Sequence, residues 1–258
     1  MKKTIDFSHY SSIHIGPILD VEVINKIDSS NDSFTIIGKA NNLLVAPSVS
    51  NLAILGDEFN YIKQKDNKLY VGCATSSGKL LTYTKKNNIA NFEFLAKLPG
   101  NIGGLTKMNA GLKQWEIFNY IHSIKTKDGY IPKKDIEYSY RHTKIDTIIY
   151  EVVFDIEYGY DKQKQAMFTK MRDNQPQDPS AGSCFKNPPN NSAGKLIQDV
   201  GLKGFVYGRM SFSCIHANFL VNLGGGTFDE AIYLINLAKQ KVKEKFDISL
   251  QEEIIILK

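Results

Sequence analysis

The sequence predicts an α+β protein, because strand patterns dominate its first half and helix patterns its last third. Residues 21–24 alternate between apolar and charged side chains, and residues 34–37 form a largely β-branched run. Residues 69–71 are a further strand candidate, and the apolar run at 148–156 predicts a long, buried strand. The apolar residues 254–257 predict one more buried strand near the end of the chain.

Three helices are predicted from their start and stop signals. One follows Ser77 and stops near Asn87, and a second runs from 192 to 200, where Gly201 ends it. Thr227 and Glu230 form a capping box, in which the hydroxyl and the carboxylate satisfy free amides at a helix start. The helix after it keeps apolar residues at helical spacing, namely Ala231, Leu234, Ile235, Ala238 and Val242.

Composition indicates a soluble globular protein. Its 258 residues are 42% hydrophobic and 23% charged, and no run approaches the roughly eighteen apolar residues of a membrane span. The start of the chain shows no signal peptide, so a cytoplasmic location without membrane attachment is expected. Cys73, Cys184 and Cys214 lack metal-ligand spacing, which predicts structural thiols and no metal site. The net charge of +5 suits an anionic small substrate at least as well as nucleic acid.

The segment 179–189 is the strongest candidate for a site. Four of the eight prolines lie in or near it, which excludes a helix or a central strand. It also holds the hydroxyl of Ser183, the ammonium of Lys186 and the amide of Asn187. Disorder is the alternative, and Phe185 together with the helix pattern that follows favours a held loop.

Two glycine-containing segments can present backbone amides to a phosphate, at 37–45 and at 98–111. Either alone fits a plain turn, whereas the two together indicate a diphosphate bound without a Rossmann or P-loop motif. The three glycines at 224–226 have no basic residue beside them and are interpreted as a connecting turn.

An ordered series of motifs then resembles the UDP-N-acetylenolpyruvoylglucosamine reductase (MurB) family over nearly the whole chain. The motifs are GKANNLL (38–44), LPGNIGG (98–104), YR (140–141), SAGSCFKNP (180–188), AGKLIQ (193–198), HANFLVN (216–222) and VKEKF (242–246). The resemblance implies an FAD-binding domain at 1–158, made of two α+β subdomains at about 1–62 and 63–158, with the fold of vanillyl-alcohol-oxidase-like (PCMH) flavoproteins. It implies an α+β domain for the UDP-sugar at 159–258.

The resemblance also implies the activity, which is NADPH-dependent reduction of the enolpyruvyl ether of UDP-N-acetylglucosamine to UDP-N-acetylmuramate for peptidoglycan. The expected cofactors are FAD and NADPH, and the expected partners are these small molecules alone, with a monomeric protein. A flavoprotein oxidase on the same scaffold and a non-enzymatic anion or RNA binder remain alternatives. The chain lacks the tyrosine-bearing insertion of one branch of the family, which makes it the shorter type.

Three residues carry the implied chemistry. Arg141 is expected to grip the substrate carboxylate with its planar guanidinium, with a surface ion pair as the alternative. Ser183 is expected to donate the proton, with a plain turn hydroxyl as the alternative. Glu253 is expected to support the enolate or the proton network, although the adjacent Glu252 leaves the register open.

Larger sets follow from the same motifs. The implied flavin contacts are Gly38, Lys39, Ala40, Asn41, Asn42, Leu43, Pro99, Gly100, Asn101, Gly103, Gly104 and Asn109. The implied substrate contacts are Lys186, Asn187, Gln198 and Asn218. Lys39 and Ala40 replace glycines of the family motif, so a positive φ at either position is expected to be strained.

Overall fold

The computed structural model describes residues 1–258, in which six α-helices and nineteen β-strands are numbered in chain order. The helices are α1 (Phe7–Tyr10), α2 (Ser77–Lys86), α3 (Ile102–Lys107), α4 (Lys162–Met171), α5 (Ala193–Asp199) and α6 (Phe228–Phe246). The strands are β1 (Lys2–Asp6), β2 (Ile18–Ile24), β3 (Thr35–Ile36), β4 (Leu43–Val45), β5 (Leu52–Leu55), β6 (Ile62–Lys65), β7 (Lys68–Gly72), β8 (Gly111–Leu112), β9 (Trp115–Glu116), β10 (Ile121–Thr126), β11 (Gly129–Pro132), β12 (Tyr138–Ser139), β13 (His142–Thr143), β14 (Glu151–Asp155), β15 (Ser180–Ser183), β16 (Val206–Tyr207), β17 (Met210–Phe212), β18 (Phe219–Asn222) and β19 (Ile255–Leu257). The two larger antiparallel sheets, with helices that do not alternate with their strands, confirm the α+β class.

The chain folds into two compact units. Unit 1 comprises Met1–Lys3, Val21–Lys39 and Asn51–Asp173, and unit 2 comprises Thr4–Asp20, Ala40–Ser50 and Asn174–Lys258. The expected bounds, at about 1–62, 63–158 and 159–258, follow the chain contiguously and stay a prediction; this grouping by contacts divides the chain differently. The difference arises from long-range contacts: β4 pairs with β19, and α4 packs on the 3₁₀ turn Glu93–Leu95.

Unit 1 contains a five-stranded antiparallel sheet in the order β11-β10-β14-β7-β6. Val152 of β14 lies opposite Ile124 of β10 on one side and Val71 of β7 on the other, and all three are fully buried. The strand expected at 148–156 is shorter, because Ile148 and Tyr150 turn away to pack in a separate core cluster. Helix α3 packs against β7 and β14 and covers this sheet.

A smaller parallel arrangement in unit 1 joins β2, β5 and β3. Val23 pairs with Ile54, and Ile36 pairs with Ala53. The strands predicted at 21–24 and 34–37 are confirmed, although β2 is longer and β3 is shorter than predicted.

Two helices predicted from local signals are confirmed. The side chain of Ser76, one residue before the predicted start, accepts from the Lys79 N–H and begins α2, which ends before Asn87. Ser192 caps the start of α5 in the same way, and Gly201 follows its end with a φ of +77°.

Unit 2 contains a four-stranded antiparallel sheet in the order β15-β18-β17-β16, with α5 and α6 packed together and α6 against β17. The capping box at Thr227 and Glu230 is present, which confirms the predicted start of α6. The five apolar residues predicted to face the core are buried, each at most 1% exposed.

The predicted final strand exists as β19, which pairs in parallel with β4. Its expected burial is wrong for Ile255, which is 43% exposed, whereas Ile254 is 4% exposed. A two-stranded ribbon covers fewer side chains than the centre of a larger sheet. No helix has both the length and the apolar character that crossing a bilayer requires.

Candidate active site

Ser183 ends β15, a strand at one edge of the unit 2 sheet, and the residue is half-buried. The pairing of β15 with β18 shifts between Ser180 and Ser183, and Gly182 within the shift has a φ of +78°. Side chains rarely tolerate that backbone conformation, so glycine is needed there. The Ser183 hydroxyl has no hydrogen-bond partner within the protein, which leaves it available to a ligand.

Backbone hydrogen bonds join the residue after Ser183 to two other segments of unit 2. The Cys184 N–H donates to the carbonyl of Asn218 at 2.7 Å, and the Cys184 carbonyl accepts from the Glu253 N–H at 2.9 Å. Two of the predicted catalytic residues, Ser183 and Glu253, therefore lie on directly bonded backbone segments.

The neighbouring carboxylate, Glu252, is committed elsewhere. Its Oε1 accepts from the Lys239 ammonium of α6 at 2.7 Å. Burial raises the pKa of Glu252, but the hydrogen bond and charge of Lys239 outweigh that effect, so its pKa lies below the usual value. Glu252 is thus held in an ion pair, and the expected role of Glu253 stays a prediction.

Part of the first glycine segment lies beside the Ser183 strand and the Glu253 segment. The Ser12 hydroxyl lies 2.7 Å from the carbonyl oxygen of Ser180 and 3.2 Å from that of Asn41. The Asn42 side chain donates to the carbonyl of Glu253 at 2.8 Å. Unit 2 thus gathers the Ser183 strand, the Glu253 segment and residues 40–43 into one constellation. Sequence reasoning missed Ser12, which lies in an unremarkable polar stretch.

Asn218 holds the backbone of the Ser183 segment through two side-chain hydrogen bonds. Its Oδ1 accepts from the Phe185 N–H at 3.0 Å, and its Nδ2 donates to the Phe185 carbonyl at 2.8 Å. Asn218 is 4% exposed and Phe185 is 0% exposed, so water does not replace these bonds easily. The structure gives this predicted substrate residue a role in positioning the segment, and its direct contact with substrate stays a prediction.

The other predicted substrate residues have different surroundings. The half-buried Lys186 donates its backbone N–H to Gln251 at 2.8 Å, and its ammonium has no partner within the protein. The Asn187 side chain accepts from the Ala193 N–H at 3.0 Å and so binds the start of α5. Gln198 is exposed on α5.

Arg141 belongs to unit 1, in the turn between β12 and β13, with a φ of +54°. Its guanidinium donates to the carbonyls of Asn109 at 3.2 Å and Gly111 at 2.8 Å, and it lies 3.6 Å from Glu116 Oε1. The Arg141 side chain is only 12% exposed, so its ion pair with Glu116 does not lie on the open surface. The guanidinium is therefore oriented by the fold.

Asn109 holds this arrangement together. Its side chain donates to Glu116 Oε2 at 2.8 Å and to the Ser139 carbonyl at 3.0 Å, and it accepts from the Phe118 N–H at 3.3 Å. The fully buried Asn109 thus fixes Glu116 and the Arg141 turn, and its predicted flavin contact stays a prediction.

The second glycine segment, 98–111, contains α3 and belongs to unit 1. Gly100 has a φ of +126°, and a Cβ at Gly103 would lie 2.9 Å from Cys73 Cβ. The backbone therefore requires glycine at both positions. At Gly104 a Cβ would meet nothing within 4 Å, so that glycine borders open space.

Each glycine segment contains one buried amide oxygen without a hydrogen-bond partner, Asn41 Oδ1 in unit 2 and Asn101 Oδ1 in unit 1. Such acceptors need a donor. The hydroxyl and N–H groups of FAD are donors of this kind, so these residues fit the expected cofactor. Ala40 has a φ of +50°, the backbone conformation at which strain is expected for a residue other than glycine.

The cysteines differ in their exposure. Cys73 and Cys184 are buried, and burial raises the pKa of both thiols. Cys214 is exposed, so the expectation of structural thiols fits only the first two. No group of three or more His, Cys, Asp or Glu side chains is arranged to hold a metal ion.

Comparison with solved structures defines the class of protein. The structure of UDP-N-acetylenolpyruvylglucosamine reductase (MurB) from Thermus caldophilus matches with a TM-score of 0.87 and 24% identity, covering 100% of this chain and 99% of that chain. The chain therefore has the α+β fold of MurB.

Sequence comparison defines the family. The model of the UDP-N-acetylenolpyruvoylglucosamine reductase C-terminal domain matches residues 175–257. A curated reductase of that name from Helicobacter pylori is 42% identical over 100% of both chains. One from Campylobacter jejuni is 45% identical, covering 98% of this chain and 99% of its own. The chain belongs to the UDP-N-acetylenolpyruvoylglucosamine reductase family, and it is an oxidoreductase enzyme.

Proposed function

We propose that this enzyme reduces the enolpyruvyl ether of UDP-N-acetylglucosamine to UDP-N-acetylmuramate, with FAD as cofactor and NADPH as reductant. The observation that carries the proposal is the Ser183 hydroxyl, unpartnered at the end of a bulged edge strand that is bonded through Cys184 to Glu253. FAD, when bound, supplies the hydride that NADPH provides and that adds to the terminal carbon of the enol ether.

Ser183 donates a proton to the carbon next to the one that receives the hydride. Hydride addition leaves enolate character beside the substrate carboxylate, and a basic enolate requires only a positioned donor. Gly182 and Asn218 supply that positioning, the first through its backbone conformation and the second through the Phe185 backbone. Glu253 lies on the adjoining segment and supports the enolate or the proton network.

Arg141 binds the carboxylate of the enolpyruvyl group. Its guanidinium is oriented by two backbone carbonyls and Glu116, so little side-chain freedom is lost when an anion pairs with it. A preorganised cation also stabilises the negative charge that develops next to the carboxylate.

The remaining predicted contacts divide between cofactor and substrate. Residues 1–158 hold most of the FAD contacts, through the two glycine segments and the unpartnered oxygens of Asn41 and Asn101. Residues 159–258 hold most of the UDP-sugar contacts, and the free ammonium of Lys186 suits a diphosphate. The enzyme acts in the cytoplasm as a monomer on small molecules rather than nucleic acid.

Separate half-reactions of the FAD-loaded enzyme test Ser183. In Ser183→Ala, reduction by NADPH stays at the wild-type rate, while reoxidation by the enolpyruvyl substrate slows by about 10²–10⁴-fold. Ser180→Ala is the matched control, because its hydroxyl makes no hydrogen bond and lies on the same strand. Wild-type turnover in Ser183→Ala would remove Ser183 from the mechanism.

Arg141→Lys tests the carboxylate contact by the same assay. A lysine ammonium cannot keep both carbonyl contacts and also present a planar fork to an anion. The variant should have a lower kcat/KM for the enolpyruvyl substrate and an unchanged rate of reduction by NADPH. Equal kcat/KM values for variant and wild type contradict the role.

A further inference from the structure

A second arginine in unit 1 is buried without a partner. Arg172 directly follows α4 and is 6% exposed, and its Nε and Nη2 atoms are buried with no hydrogen-bond partner. Burying a guanidinium without pairing it is strongly unfavourable, so natural proteins rarely leave one in this state. A group outside the folded chain is the simplest candidate for the missing acceptor.

The charges around Arg172 increase its need for an acceptor. Burial and the positive charge of Arg141 lower the pKa of Arg172 to about 10, so the two cations lie close enough to repel each other. The adjacent carboxylate, Asp173, pairs with Lys97 at 2.8 Å, and Glu116 is held by Arg141 and Asn109. Neither of these two carboxylates is therefore left to neutralise Arg172.

Two structural roles that a buried arginine can have do not apply to Arg172. A cation near the end of a helix can bind the last carbonyls, but Nε and Nη2 of Arg172 reach none of them. A guanidinium can also stack on an aromatic ring, and Arg172 has no such ring contact.

We propose that Arg172 is a second oxyanion-binding residue beside Arg141 and that its ligand is the UDP-sugar, an inference that rests on the proposed function. The shared chemistry is a carboxylate or phosphoryl oxygen, which the enolpyruvyl group and the diphosphate respectively provide. The UDP-sugar is favoured over NADPH because the neighbouring Arg141 is the residue to which the substrate carboxylate is assigned. Two adjacent guanidiniums bind an oxyanion more strongly than one.

Calorimetric titration of the FAD-loaded enzyme tests the inference, with Arg172→Met as the variant. Lys170→Met is the matched control, because it removes an exposed cation two residues away. The Kd for UDP-N-acetylglucosamine enolpyruvate should rise at least about 30-fold in Arg172→Met and stay unchanged in Lys170→Met. An equal loss for UDP-N-acetylglucosamine identifies the diphosphate as the partner, whereas unchanged binding of that compound identifies the carboxylate.

Thermal unfolding separates ligand binding from a structural role. Without UDP-sugar, Arg172→Met should have a melting temperature equal to or above that of the wild type, because an unpaired buried charge is removed. A lowered melting temperature combined with unchanged binding of the UDP-sugar shows a structural arginine and overturns the inference. Weaker binding of NADP⁺ alone overturns it as well.

The wild-type titration keeps the two proposals distinguishable. If the wild type binds neither UDP compound, the proposed function fails and the inference fails with it. If the wild type binds the enolpyruvyl compound and Arg172→Met binds it equally well, only the inference about Arg172 fails.

Discussion

Replacing Asn218 by alanine tests how the Ser183 segment is held. The amide of Asn218 both accepts from the Phe185 N–H and donates to the Phe185 carbonyl, at 3.0 Å and 2.8 Å. Alanine removes both partners at once and leaves two backbone groups of a residue that is 0% exposed. We therefore expect a loss of stability together with a loss of order around Ser183.

The magnitude follows from the two backbone groups that lose their partners. A buried donor or acceptor left without a partner costs about 1–3 kcal/mol, so the two together should lower the free energy of unfolding by about 2–6 kcal/mol. Asn191→Ala is the control, because its side chain makes one exposed contact with Pro189 at 3.3 Å. Exposed substitutions of this kind stay within about 0.5 kcal/mol.

Urea unfolding of the two variants, followed by circular dichroism, measures the difference. In the FAD-loaded enzyme, Asn218→Ala should also slow reoxidation by the enolpyruvyl substrate more than reduction by NADPH. If the unfolding free energy of Asn218→Ala lies within about 0.5 kcal/mol of the wild-type value, the positioning role is refuted.

Three further predictions concern stability and reactivity. Thr227→Ala removes the capping box of α6 and should lower the unfolding free energy by about 0.5–2 kcal/mol in urea; an unchanged value contradicts the cap. Of the three thiols, only that of Cys214 should react rapidly with a thiol reagent in the native protein, and a second fast thiol contradicts the burial of the others. Burial and the hydrogen bond to Glu151 raise the pKa of Tyr130 from 10 to about 12, so the native state binds more protons than the unfolded state between these values. Stability should therefore fall as the pH rises through this window, and a flat profile of denaturation midpoints contradicts the argument.

Local signals in the sequence predicted local structure well. The capping box at Thr227 and the apolar spacing after it define α6, because both depend on residues within a few turns. The same holds for α2 and α5, where Asn87 and Gly201 mark the ends.

The grouping of segments could not be predicted in the same way. Residues 40–50 join the C-terminal part because β4 pairs with β19, which is more than 200 residues away along the chain. Residues 4–20 join it through hydrogen bonds between residues that are also far apart along the chain, from the Ser12 hydroxyl to the Ser180 carbonyl and from the Asn222 side chain to the Ile13 carbonyl. The pattern of apolar residues reports burial but not the partner that provides it. For the same reason, the sequence could not show that Ile255 is exposed in its short ribbon.

The candidate site was predicted in part. Motif order pointed to Ser183 and Glu253, and the structure joins their segments through Cys184. The sequence could not show that Glu252 pairs with Lys239, because that ion pair depends on how α6 packs. Arg172 had no signal, because an arginine in a polar stretch looks the same whether it is paired, solvated or buried.

An anaerobic titration shows whether the enolpyruvyl compound accepts the electrons of the reduced flavin. The FAD-loaded enzyme is first reduced with one equivalent of NADPH, and UDP-N-acetylglucosamine enolpyruvate is then added while the flavin absorbance is followed. About one equivalent should restore the oxidised spectrum, and UDP-N-acetylmuramate should form in the same amount. A flavin that stays reduced until oxygen is admitted would show that the enolpyruvyl compound is not the oxidising substrate.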